Sequence, residues 1–592
     1  MNWGNELLAS GIWLGKAMLI TVLVSSIAIW LTTRFSRWGR QFLRLAGDFF
    51  RPVNNGWRPL LTILLVLLVT LAGVRVNVLF SNWYNEMYAS LQKLDAKLFW
   101  ASMLIFAVLA SVHVGRSLFE VYIQQAFVIR WREWLNERML SRWLQGQTFY
   151  RTQHLADPVD NPDQRIQQDI ASFVSSSLSL SMGVIDALVS TFEFTLILWG
   201  LSGVLAVFGL EIPRGMVFAV YLYVIVATVF AFGIGRPLIR LNFLNEKLGA
   251  DYRYALVRLR EYSESIAFYR GHLVEGAQLR QRFGRLIDNS WAILFRNLKF
   301  TGFNFVVSQT AAVFPFIIQA PRFFSKQISL GDMVQTAQAF GQLQDNLSFF
   351  RRAYDDFAQY KAVLDRLTGF LDAAEASDAL PCAHTQPQSS GLQLGQLDVT
   401  TPDGRPLLSG LSLSLAAGNA LLIRGPSGSG KTTLLRAIAG LWPYCQGNIG
   451  YPLDSVLFLS QKPYLPLGSL RDALSYPQAA VADADRIQRT LQAVQLGHLA
   501  SRLDEEADWS RILSLGEQQR LAFGRLLLAA PKVAFLDEAT SAMDEGLEDA
   551  LYRLVRSQLP DTVLVSVGHR STLLVHHSHQ LQLQGEGRWL LQ

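Results

Sequence analysis

The sequence predicts a polytopic α-helical membrane portion followed by a soluble α/β domain. Three observations carry that prediction. Half of the 592 residues are hydrophobic and only 17% are charged, with 36 Phe and 15 Trp, a balance expected of a chain with a large membrane part. Apolar runs long enough to span a bilayer recur from Ile12 to Phe323. Beyond about residue 391 the pattern changes to short apolar runs alternating with helical stretches, as in an α/β sheet. The length also exceeds one ordinary core, so two large units are expected.

Ile12–Leu31 is the first span-length run. No Lys or Arg precedes it and no small-residue cleavage site is evident, so a retained helix is expected rather than a secretory signal. Arg34, Arg37, Arg40, Arg44, Arg51 and Arg58 follow as an arginine-dense loop, expected on the cytoplasmic side. Leu60–Phe80 crosses outward, with Arg75 expected to snorkel, and Leu98–Ile123 crosses back. The basic segment 124–183 is expected inside. Val184–Phe208 and Gly215–Gly235 form a hairpin through Glu211-Ile-Pro-Arg214, and Phe300–Phe323 leads out.

Six crossings from an outside N-terminus end outside, so an intracellular α/β domain requires a seventh. Asp332–Phe350 is the candidate, although hydropathy alone would miss it. Its Gln335, Gln338, Gln342 and Asp345 are tolerable in a spanning helix only against other helices or a wet cavity. Together with Glu193, midway through Val184–Phe208, they are the candidate substrate path. An interfacial amphipathic helix, and a carboxyl satisfied by its neighbours, are the plainer readings. Ala373–Gly391 is a linker by composition, which gives four regions: 1–58, 59–370, 371–390 and 391–592.

In the last region, Leu392–Leu394 and Leu411–Leu415 flank Asp403-Gly404 as strands about a turn. Ala420–Ile423 then leads through Gly425, Pro426, Ser427, Gly428, Ser429, Gly430, Lys431, Thr432 and Thr433, the candidate nucleotide-binding residues, into a helix. Strand, glycine loop and helix in that order form a phosphate cradle, because backbone N–H groups and the helix N-terminus converge on one anion. Lys431 is placed for the outer phosphates and Thr432 for Mg²⁺. Val533–Leu536 ends in Asp537 and Glu538, one carboxylate for a metal and one to polarise a water. The two cysteines, Cys382 and Cys445, are too few for a disulfide framework or a thiolate metal site. The net charge of +6 comes from loops that flank membrane runs, which argues against a nucleic-acid partner.

Leu513-Ser-Leu-Gly-Glu-Gln-Gln-Arg520, one helix before the Asp-Glu strand, resembles the signature of ATP-binding-cassette ATPases. Gln461 after Val456–Ser460 resembles their Q-loop, Ser541-Ala-Met-Asp544 their D-loop, and His569 after Val563–Gly568 their switch histidine. The resemblance implies ATP and Mg²⁺ as ligands, with Thr432, Gln461 and Asp537 around the metal and Glu538, Gln461 and His569 in catalysis. It also implies that Ser514, Leu515, Gly516 and Glu517 meet a nucleotide held by a second copy of the chain, with Asp544 beside them, so a homodimer is expected. Leu515 and Glu517 replace the commoner Gly and Gln. No aromatic residue or His occurs between Gly391 and Gly425, where an adenine-stacking residue is usual.

Asn161-Pro-Asp-Gln-Arg-Ile166 with Asp169, and Glu264–His272 with Glu275, resemble loop motifs of ABCD-type acyl-CoA transporters and of bacterial SbmA/BacA-related peptide and cobalamin transporters. Asn82-Trp-Tyr-Asn85 with Leu91-Gln92 and Asp95, read as a first outer loop, is similar to the bacterial branch. The resemblance implies an exporter-like, type IV membrane fold with an extra N-terminal helix, in the bacterial inner membrane. It further implies ATP-driven import of peptides or cobalamin-like compounds. Acyl-CoA transport and a membrane-anchored, non-transporting ATPase are the alternatives.

Overall fold

The computed structural model describes residues 3–203, 205–207, 210–478 and 483–592. It divides into two compact units, one of residues up to Ser141 with Asn161–Phe370, the other of Arg142–Asp160 with Leu371–Gln592.

The first unit is helical. Six helices among the described residues are long and apolar enough to cross a membrane: Gly4–Phe35, Arg58–Gln92, Ala96–His154, Pro162–Leu201, Gly215–Glu261 and His272–Phe324. Several exceed the roughly 20 residues that a bilayer core needs, so they extend beyond it. Their outward faces carry large apolar side chains such as Leu19, Leu118, Phe192 and Val229, as lipid-facing surfaces do.

The arginine-dense stretch is an amphipathic helix rather than a loop. Arg37–Phe50 is helical, with Ser36 as its N-cap accepting from the Gly39 N–H at 3.0 Å. A Cβ on Gly39 would lie 2.3 Å from the Thr32 carbonyl oxygen, so this elbow requires glycine. Leu45, Ala46 and Phe49 are buried, and Phe49 stacks on Trp131 at 5.5 Å. The arginine spacing of three and four residues is the solvent stripe of that helix.

The span expected to reach Phe208 ends at Leu201. Ser202 leaves the helix and its hydroxyl accepts from the Met216 N–H at 3.2 Å. The Arg322 guanidinium lies against Gly203, where a Cβ would meet it at 2.3 Å. An antiparallel pair, Leu205–Val207 with Leu210–Ile212, makes the connection; Phe208 itself lies outside the described residues.

Asn82 and Asn85, expected in a loop, lie inside the helix Arg58–Gln92. They face the polar helix Leu330–Asp378, which is not among the six apolar ones. Asn85 donates to Asp332 at 2.9 Å and to Gln335 at 2.7 Å, and Gln335 donates to Asn82 at 3.0 Å. Gln92 accepts from the Leu330 N–H at 2.7 Å. The backbones touch here: a Cβ on Gly331 would sit 2.2 Å from the Asn85 carbonyl oxygen. Arg75 pairs with Glu6 at 3.1 Å and with the Ser10 hydroxyl at 2.9 Å, both just before the first apolar run.

Among the described residues the second unit contains two large sheets and a short antiparallel pair, Gly468–Ser469 with Glu506–Ala507. One runs in the order Arg588–Leu591, His579–Gly585, Ala420–Arg424, Val563–Val567, Val533–Asp537, Val456–Leu459, parallel except for its first strand. Its central strands are buried on both faces, which is why they read as unbroken apolar runs. The other sheet orders His384–Pro387, Cys445–Tyr451, Leu392–Thr400 and Pro406–Leu415. The 371–390 segment is therefore structured at both ends: a helix runs to Asp378, and His384–Pro387 pairs with Cys445–Tyr451. Segment 142–160 joins this unit through His154, whose ring lies edge-on to Trp442 at 5.3 Å and whose carbonyl accepts from the Tyr444 hydroxyl at 3.3 Å.

His577 reports on this packing. Its Nδ1–H donates to the Leu573 carbonyl at 2.7 Å and its Nε2 lies 2.9 Å from the Ser566 hydroxyl. Burial lowers its pKa from 6.5 to about 4. A depressed folded pKa leaves the full contribution in place above pH 6.5 and removes it as pH falls towards 4. Thermal unfolding followed from pH 7 to 4 is expected to show a loss of roughly 3 kcal/mol from this group, and His577→Gln is expected to flatten that part of the profile.

Candidate functional site

The parallel strands deliver their C-terminal ends to one edge, and each end starts a loop that carries chemistry. Gly425 opens the first with φ +153; a Cβ there would lie 2.6 Å from the Leu583 carbonyl oxygen, so only glycine lets the adjoining strand approach. Pro426, Ser427 and Gly428 form the exposed crest. Gly430, at φ +95, turns into the helix Lys431–Ile438. Lys431 Nζ donates to the Gly425 and Pro426 carbonyls, both at 2.9 Å, which anchors the ammonium within the loop. Ser429 is 5% exposed and its Oγ is buried without a hydrogen-bond partner. A buried orphan hydroxyl amid converging N–H groups suits an anion's oxygens.

Thr432 Oγ1 donates to Asp537 Oδ1 at 3.1 Å, so hydroxyl and carboxylate share one spot. Burial pushes the Asp537 carboxyl above the usual range and the Glu538 charge adds to this, opposed by the Thr432 hydroxyl. Arg436 and Lys431 offset part of this, and the two hard oxygen donors at that separation fit Mg²⁺. Glu538 holds a left-handed backbone conformation, φ +47, fixed by its N–H donating to the Val567 carbonyl at 3.1 Å. Such strain in a non-glycine residue marks a functional turn. One Glu538 oxygen accepts from Gln461 Nε2 at 3.1 Å and the other faces His569 Nε2 at 3.5 Å. Gln461, Glu538 and His569 thus converge, with His569 exposed.

Ser514 caps the helix Leu515–Ala529 in a reciprocal box with Glu517: its hydroxyl and its N–H donate to Glu517 Oε2 at 2.8 and 2.9 Å, and the Glu517 N–H returns at 3.4 Å. The Glu that departs from the commoner signature therefore orients the serine. Leu515 is 41% exposed. Gly516 is half-buried against the next loop, since a Cβ on it would meet the Ala542 carbonyl oxygen at 3.0 Å. Asp544 caps Glu545–Gln558, accepting from the Leu547 N–H at 2.8 Å. Thr433 is half-buried in the first turn of its helix.

The membrane candidates do not converge. Glu193 accepts from Trp13 Nε1 at 2.9 Å, which ties it to the N-terminal helix. Gln335 is buried and engaged by Asn82 and Asn85. Gln338 is half-buried, and Gln342 and Asp345 are exposed one and two turns further along.

Three residues that the sequence did not single out matter here. Glu548, 2% exposed, accepts from Thr540 and Thr572 and lies 3.6 Å from Arg570, which joins the turn after Glu538 to the turn after His569. Gln519, 0% exposed, bonds to both Gln461 and the Ser541–Ala542 turn. Trp589 donates to the Ser409 carbonyl at 2.9 Å, which brings an aromatic ring to the strand Pro406–Leu415 from 180 residues away. Only Glu548 had a local signal, as a carboxylate on the apolar side of an amphipathic helix.

The family model "ABC transporter transmembrane region 2" matches residues 50–324 and the model "ABC transporter" matches residues 408–541. The chain is 51% identical to an uncharacterized ABC transporter ATP-binding protein of Haemophilus influenzae, with both chains covered completely. It is 30% identical to the human lysosomal cobalamin transporter ABCD4, over 86% of this chain and 88% of that protein. The fold matches a bacterial Atm1-family ABC exporter with ATP bound at a TM-score of 0.69 and 18% identity, covering 89% of this chain and 94% of the exporter.

Removing the Glu548 carboxylate would leave two hydroxyls and Arg570 without their buried acceptor. Glu548→Ala is expected to destabilise the second unit by about 3 kcal/mol, read as a fall of several degrees in Tm, and to reduce ATP turnover along with it.

Proposed function

Because the chain belongs to the ATP-binding-cassette half-transporters, whose ATPase domain uses ATP with Mg²⁺ to drive transport, we propose that two copies of it form a transporter in the bacterial inner membrane. The proposed cargo is a bulky hydrophilic compound, a peptide or cobalamin-like molecule, moved inward. The observation that carries the cargo reading is the polar helix Leu330–Asp378, which presents Gln342 and Asp345 on an exposed face among apolar helices. Similarity to a cobalamin transporter along most of both chains supports it.

In this reading residues 1–58 add an N-terminal helix to the six-helix portion 59–370, 371–390 connect, and 391–592 bind nucleotide, joined by segment 142–160. Lys431 and the Gly425–Thr433 loop hold the phosphates, and Thr432, Asp537 and Gln461 hold the metal. Glu538 draws the proton from the attacking water, with His569 and Gln461 orienting it. Ser514 and Gly516 serve the nucleotide of the second copy, beside Asp544.

Two experiments test the reading. Glu538→Gln is expected to retain ATP binding while turnover falls by at least about 100-fold; near-normal hydrolysis would remove Glu538 as the base. In proteoliposomes with ATP on the cassette side, labelled cobalamin or peptide is expected to cross towards that side. Transport of acyl-CoA alone would replace the cargo assignment, and ATP hydrolysis with no transport of any of the three would favour an anchored ATPase.

A further inference from the structure

Gln519 lies one turn into the helix that begins at Ser514, is 0% exposed, and has a bonding partner in each direction it can reach. Its Nε2 donates to the Gln461 backbone carbonyl at 2.8 Å and to the Ser541 hydroxyl at 3.1 Å. Its Oε1 accepts from the Ala542 N–H at 3.0 Å. A buried amide costs free energy unless its polar atoms are satisfied, and here satisfaction fixes two loops, at Gln461 and at Ser541–Ala542, to one side chain.

Those loops do different work. Gln461 reaches Glu538 at 3.1 Å with its side chain while its backbone is held by Gln519. Ser541–Ala542 leads to Asp544, and Ala542 also touches Gly516, where a Cβ would come within 3.0 Å of its carbonyl oxygen. Next to Gln519, Gln518 is 5% exposed and donates to the Ser510 and Leu513 carbonyls, both at 2.8 Å, which ties down the approach to Ser514. An unbroken set of bonds thus runs from the Ser514 helix end through Gln519 and Gln461 to Glu538 and His569.

We infer that Gln519 is a positioning residue that links the half-site built around Ser514 to the half-site built around Glu538. A shift of the Ser514 helix end against the partner's nucleotide is passed by Gln519 to the Gln461 backbone, and so to the side chain that holds Glu538. In a homodimer each ATP site combines one half from each chain, so this residue makes turnover at one site depend on occupancy of the other. The inference rests on the paired-site reading above.

The experiment uses the full-length protein in lipid nanodiscs, with a fluorescent ATP analogue for binding and phosphate release for turnover. Gln519→Leu preserves size and removes all three bonds. Gln519→Glu keeps an acceptor for Ala542 and Ser541 but sets a carboxylate against the Gln461 carbonyl, so it breaks the Gln461 link selectively. Both are expected to bind nucleotide within about twofold of wild type while kcat falls about tenfold or more, and the Hill coefficient for ATP is expected to drop to one. In a Gln461→Ala background, Gln519→Leu is expected to cost little more, because the backbone bond remains but the side chain it positions against Glu538 is already gone.

Multiplying losses in the double variant, or a retained Hill coefficient in Gln519→Glu, would overturn the role of Gln519. Should Gln519→Leu fail to fold, Gln519→Glu and its own double variant with Gln461→Ala give the same reading. A Hill coefficient of one in the wild type would instead overturn the paired-site reading, and the inference with it.

Discussion

The registered pairing of three parallel strands is the constraint from which the site follows. Ile423 pairs with Val567, and Val567 pairs with Asp537. This one line of backbone hydrogen bonds brings the phosphate loop, the Asp537–Glu538 turn and the His569 turn side by side. A slip of one residue would turn every side chain of a strand to the opposite face. The strands resist slipping because they are apolar on both faces and enclosed by two cores, one around Leu422, Phe523, Leu536 and Trp509, the other around Ile423, Phe535 and Val565. Glu548 then adds a bracket on the loop side, so two of the three turns are held at both ends.

Much of this was legible in the sequence, because phosphate chemistry demands particular residues at particular spacings. The glycines of Gly425–Gly430, Lys431, Thr432 and the Asp537–Glu538 pair cannot be exchanged without changing what the backbone or the charge does. Gln519 was not legible, since a glutamine in a helix is ordinary until its burial and partners are known, and Glu548 showed only as a carboxylate on the apolar side of its helix. Both act through tertiary contacts to residues 8 to 58 positions away. Trp589 was missed for the same reason, its contact with Ser409 spanning 180 residues.

In the membrane portion, polarity misled in a consistent direction. Asn82 and Asn85 read as loop, and the arginines from 34 to 58 as loop, because polar side chains lower hydropathy whatever the backbone does. Asn82 and Asn85 lie within one helix and Arg37, Arg40 and Arg44 on another, while Arg34 is in the last turn of the helix before it, Arg51 lies in the link after it and Arg58 begins the next. Asn82, Asn85, Asp332 and Gln335 satisfy one another between two helices, the condition under which amides are tolerated at membrane depth. Gln335 therefore reads first as packing. Of the four polar candidates on that helix, Gln342 and Asp345 keep exposed side chains.

The nucleotide site also has its energetics arranged in advance. Asp537 carries its charge at a cost, since burial and the Glu538 carboxylate both oppose ionisation, and Glu538 sits in a backbone conformation that side chains disfavour. Neither feature helps the fold by itself. A divalent cation beside Asp537 would relieve the first, because opposite charge favours the ionised carboxyl, and binding to the folded state alone returns that free energy as stability. The second is held by the Glu538 N–H bond to Val567 and by Gln461, whose own backbone hangs on Gln519. The strain at Glu538 is thus sustained by the same contacts that reach the Ser514 helix, and the pose of its carboxylate depends on where that helix rests.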